Sequence, residues 1–79
     1  MIDLTPYHLS RILLYCGLNG IQDVVFKHNI EDQYDTETKT IKINKSRSLT
    51  GQVYILLHEY GHHRIIEDAI LNKKFSQII

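Results

Sequence analysis

Seventy-nine residues allow one domain, and a chain this short buries only about 60% of the surface its unfolded form exposes, so a bound metal or a partner would add usefully to its stability. Nine basic residues balance nine acidic ones, which excludes the positive footprint of a nucleic-acid or anionic-membrane binder. Among the larger classes, collagen-like, disordered and disulfide-stapled chains are excluded by four Gly, one Pro and a single cysteine.

Thr5-Pro6 reads as a helix N-cap followed by proline at the first helical position, where its missing N–H costs nothing. Leu9, Ile12, Leu13 and Cys16 then recur at helical spacing, and Gly17 and Gly20 bracket a stop, so a helix is expected over about 6–17. The β-branched run Gln22 to His28 predicts a strand. Lys39-Thr40-Ile41-Lys42-Ile43-Asn44 alternates apolar with polar residues and predicts a second, half-exposed one. An antiparallel pairing of the two is expected, with the polar, acidic segment Asn29–Thr38 as a loop between them.

From Thr50 to about Asn72 there is no proline and a dense supply of Val, Ile, Leu and Tyr, which predicts a long helix capped by Ser48 or Thr50. Its apolar residues cover most of the circumference, so burial on several sides is expected. The tail Phe75-Ser76-Gln77-Ile78-Ile79 reads as a partner surface or the edge of the core. The expected fold is α+β: a single domain over 1–79 with an N-terminal helix, a small antiparallel sheet and a long second helix. No apolar run approaches the roughly 18 residues of a membrane span, and the N-terminal segment lacks a basic region followed by an apolar one. With Cys16 suited to a reducing compartment, a cytoplasmic protein is expected.

The chemistry concentrates at His58-Glu59-Tyr60-Gly61-His62, an H-E-x-x-H pattern inside the long helix. Shuffling this composition produces the pattern in roughly 1% of chains. Residues four apart project from one helix face, so His58 and His62 can place two imidazole nitrogens on one ion, Zn²⁺ being the expected metal. Glu59 lies about 100° further round, beside the ion, where a general base acting on metal-bound water belongs. Peptide hydrolysis is the usual outcome of that arrangement, which makes a peptide or protein the expected substrate. Gly61 in a helix interior costs about 1 kcal/mol relative to Ala and is easiest to justify where another backbone packs closely.

The stretch Ile41-Lys42-Ile43-Asn44, a short polar connection, then Gln52 through His63 resembles the strand and active-site helix of the ImmA/IrrE family of zinc metallopeptidases, over about half the chain. The resemblance implies a minimal zincin-like domain with His58 and His62 as ligands and Glu59 as general base. It further implies that the strand Ile41–Asn44 lies beside the cleft, where such strands can pair with a substrate backbone.

A catalytic zinc takes three protein ligands. The resembled family draws its third from an acidic residue on a later helix, and the acids downstream of His62 are Glu67 and Asp68. Asp68, six residues on, has the separation seen in metzincin-type sites and is the candidate third ligand. It reaches the metal only if the helix breaks, because on an unbroken helix it points roughly 100° away. Cys16, His8, His28, His63, or a residue from another chain in an oligomer are the other sources. Two alternatives stay open beside a peptidase. One is a catalytically inactive binding or regulatory module, of viral or host-interaction type, that keeps the helix; the other is a hydrolase similar to the peptide deformylases, with Cys16 as a ligand.

Overall fold

In the computed structural model, which describes the backbone over residues 4–78 and side chains over 4–74, two helices and a three-stranded sheet follow one another as α1 (Pro6–Leu18), β1 (Asp23–Lys27), β2 (Gln33–Asp35), β3 (Thr40–Asn44) and α2 (Leu49–Ile78). The α+β class is therefore as expected. Thr5 is the N-cap of α1, with extended backbone, and its N–H donates to Nδ1 of His8 across the first turn (2.9 Å), which places His8 in a helix cap. Gly17 stays inside the helix. The chain leaves it through Asn19 and turns at Gly20, where φ is +100°, a region favoured only by glycine.

The sheet differs from the expectation in two ways. β1 pairs with β3 in parallel, from Asp23 opposite Thr40 to Lys27 opposite Asn44. The segment between them is not a plain loop, since it holds β2, antiparallel to β3 on its other side, and the strand order is β1-β3-β2. The physical reason lies in the turns. Asp35 Oδ1 accepts from the N–H groups of Glu37 and Thr38 (2.9 and 3.1 Å) and closes a tight β2–β3 hairpin, with Lys39 at φ 53°. Once β2 occupies that side of β3, β1 can join only on the other, and the segment after it crosses the sheet end to reach β2.

A second acid ties this crossing down. Asp32 accepts from the backbone N–H of Asn44 (2.7 Å) and from the Arg47 guanidinium (2.6 and 2.9 Å). Burial pushes its carboxyl up, but the Arg47 and Asn44 hydrogen bonds and the Arg47 charge outweigh that and hold it below the ordinary carboxylate value of 3.8. A group whose pKa is depressed by folding stabilises above its unfolded pKa, and that contribution fades as pH falls through the folded one. Asp32→Asn should therefore lower the urea midpoint near neutrality and flatten its acid limb below about pH 4. A midpoint-against-pH curve parallel to wild type would rule this out. Asp35, also held low by its turn hydrogen bonds, leaves a residual acid dependence.

The core lies where one face of β3 meets both helices. Ile41 and Ile43, alternate residues and so on one face, are fully buried with Cys16 and Leu56, and Ile21 and Val53 are buried alongside. The long helix starts with Ser48 Oγ accepting from the Gly51 N–H (3.1 Å), so Ser48 is its cap. It is not enclosed on several sides. Val53, Leu56, Glu59 and His63 are buried, while Tyr54, Leu57 and Ile65 face outward at 65%, 45% and 69% exposure. A three-stranded sheet and one short helix cover a single stripe of a 30-residue rod, whose length of about 45 Å matches the 47 Å long axis of the molecule. Residues 68–74 are exposed all round, and the apolar tail Phe75–Ile79 lies outside the described side chains. No helix among the described residues is long and apolar enough to cross a membrane.

Candidate metal centre

The three motif residues come together as expected. Nε2 of His58 and Nε2 of His62 are 3.2 Å apart, their rings nearly perpendicular at 88°. Two nitrogens bound to one tetrahedral zinc at about 2.0–2.1 Å must sit about 3.3 Å from each other, so the pair is already at chelating separation. One helix, with no intervening loop, fixes that spacing. Among the described residues, His58, Glu59 and His62 form the group able to hold a metal ion, with ligand atoms all within 4.8 Å of one another. Nitrogen donors with a neighbouring carboxylate fit zinc.

Glu59 differs from the two histidines in being buried, at 7% exposure, while both histidines are exposed. It lines a cleft of about 340 Å³ together with His62 and Ile66 of α2 and with Asp32, Gln33, Tyr34 and Thr36 across from them. The opposite wall is thus β2 and its flanks, not β3. The expectation for Ile41–Asn44 is corrected here, because β3 is the central strand and its hydrogen-bonding edges are taken by β1 and β2. The edge that can still pair with an extended backbone beside the motif is that of β2.

The wall is held to the helix by His63, which was expected from the sequence only as one more source of a third ligand. His63 is 1% exposed; its Nε2 lies 2.9 Å from the Asn19 carbonyl and its Nδ1 2.6 Å from the Tyr34 hydroxyl. A carbonyl only accepts, so Nε2 carries the proton and, in the neutral ring, Nδ1 accepts from the Tyr34 hydroxyl. Burial, then the charges of Glu67 and Asp35, pushes the Tyr34 phenol up, which keeps that donor protonated. One imidazole thereby joins the exit of α1, strand β2 and α2, and it is not free to bind metal. Gly20 makes room for it: a Cβ there would meet Nε2 at 3.2 Å.

The other proposed donors are elsewhere. Asp68 does not join the histidines, because α2 runs unbroken through it and its carboxylate is exposed and faces the Arg64 guanidinium at 3.9 Å. Glu67 pairs with Lys39 (3.2 Å). Cys16 is fully buried against the apolar core, and burial pushes its thiol up, both contrary to a thiolate ligand. His28 Nδ1 lies 3.1 Å from Ser46 Oγ. The spacing of Tyr54 and Tyr60 suits the core, and no donor role was expected of either; the Tyr60 ring does pack on the core, while Tyr54 is turned to solvent.

Gly61 also departs from expectation. A Cβ built on it meets nothing within 4 Å, so no backbone among the described residues packs there. Comparison with protein-family models, with curated proteins and with solved structures gives no match.

Proposed function

We propose that this chain is a zinc-dependent metallopeptidase-like hydrolase, in which His58 and His62 hold the metal and Glu59 is the general base. The observation that carries it is the pairing of two imidazole nitrogens at 3.2 Å with a buried glutamate that opens into a cleft. Bound zinc supplies Lewis acidity, lowering the pKa of water to about 7 and polarising a carbonyl. The chain's own residues supply the rest. Glu59, sheltered from bulk solvent, takes the proton of the attacking water and hands it to the leaving amine. The free edge of β2 offers backbone hydrogen bonds that align an extended peptide along the cleft.

A second reading is a non-catalytic binding or regulatory module. It is favoured by one observation: with Glu59 as base, the donor group among the described residues leaves two protein ligands where a catalytic site has three. Glu59→Gln separates the two readings. As a peptidase, the variant should lose about 10²–10⁴-fold in peptide-hydrolysis rate with zinc uptake unchanged, since an amide cannot carry the proton. Wild-type protein that takes up zinc yet cleaves no faster than the variant would establish the second reading.

A further inference from the structure

We infer that a second copy of this chain closes the site by packing α2 against α2, so that four imidazoles share one zinc and the paired form is the resting state of the centre. This rests on the metal-binding half of the proposed function.

The first observation is the count of donors. Two exposed histidines at chelating separation are half of a closed tetrahedral shell, and among the described residues nothing else of this chain joins them except Glu59. The second is the surface around them. Taking successive residues about 100° apart, Tyr54, Gly61 and Ile65 lie along the side of α2 facing away from the core, with His58 and His62 on one flank of that line. Tyr54 and Ile65 are 65% and 69% exposed, and the space over Gly61 is empty. A helix-interior glycine with nothing above it leaves a notch into which another helix can come close.

The third observation is the register. A two-fold axis lying between two antiparallel copies of α2, perpendicular to both, pairs residues equidistant from the level at which it passes. His58 with the partner's His62 and Tyr54 with the partner's Ile65 are both centred on Glu59–Tyr60 in the sequence. One antiparallel crossing therefore sets apolar against apolar along the seam and brings all four imidazoles to the same flank. The chain carries no net charge, so two copies meet without overall repulsion. Four imidazoles leave no position for substrate, so pairing switches the centre off, and separation of the copies returns two open positions to each metal.

Sedimentation equilibrium of the full chain during a titration with zinc chloride, with bound zinc measured in parallel, tests this. The expected result is a rise in mass from 9.3 kDa to about twice that at about 0.5 zinc per chain, then a return towards the monomer as excess zinc gives each copy its own ion. Ile65→Glu alters an exposed residue that is not a donor, and should bind about one zinc per chain as a monomer throughout. A wild-type chain that stays monomeric while taking up one zinc overturns the pairing and leaves the metal site standing. No zinc uptake overturns both. A dimer that survives chelation, or an Ile65→Glu dimer at half-equivalent zinc, overturns the bridged interface.

Discussion

Zinc at about a hundred times its dissociation constant should raise the stability of the wild-type chain by about 2.7 kcal/mol, and His62→Ala should remove that rise. For a domain of this length each kcal/mol moves Tm by about 4–8 °C, so the expected shift is roughly 10–20 °C. The size of the effect follows from where the donors sit. His58 and His62 are one turn apart on a helix with its nitrogens already 3.2 Å apart, so binding requires little ordering of the folded chain, whereas the unfolded chain must bring them together. With one of them gone, a single exposed imidazole remains. Calorimetry with zinc and with a chelator, at one protein concentration, measures both values. Asp68→Ala should retain the full shift, because Asp68 is exposed, faces Arg64 and lies outside the group formed by His58, Glu59 and His62. Glu59→Gln should retain most of it. An equal zinc shift in wild type and His62→Ala would move the metal to another part of the chain and remove the basis for the function proposed.

The parts of the fold that could be read in the sequence are those decided by neighbours in the chain. Thr5-Pro6 starts α1 and Ser48 caps α2, and the alternation at Ile41 and Ile43 puts both on the buried face of β3. The i, i+4 spacing of His58 and His62 likewise needs nothing beyond the helix itself. What could not be read depends on distant partners. Strand direction is such a case: the β1–β3 pairing is parallel because the Asp35 turn folds β2 back onto β3 and a short segment joins the end of β1 to the start of β2, and Tyr34 is the only apolar residue marking that strand. The surroundings of α2 are another, since an all-round apolar pattern says nothing about how much sheet exists to cover it. His63 had a local signal that counting only apolar residues passes over. It lies three and seven residues after Tyr60 and Leu56, on their stripe, and so had to be buried and bonded wherever that stripe meets the sheet.

That position makes His63 the residue whose loss should cost the fold most. His63→Ala leaves the Asn19 carbonyl and the Tyr34 hydroxyl without their partner and opens a cavity under Gly20. Each part-buried orphan costs about 1–2 kcal/mol, and the cavity adds to it, so a total of about 3–5 kcal/mol is expected. A domain of this length has about 4–12 kcal/mol in all, so the variant should lose about a quarter of that or more, with Tm lower by at least about 12 °C. Tyr34→Phe keeps the ring and removes one bond, and should cost about 1 kcal/mol. Because the two side chains share that bond, the double variant should lose less than the sum of the single ones, by about 1 kcal/mol. Additive losses in a double-mutant cycle would show that the 2.6 Å contact carries no coupling. The consequence reaches the cleft, since Tyr34 on β2 is both the partner of His63 and part of the wall facing Glu59. Tyr34→Phe, which remains folded, should therefore loosen the β2 edge and raise KM for an extended peptide more than it lowers kcat, while zinc uptake by His58 and His62 stays at its wild-type value.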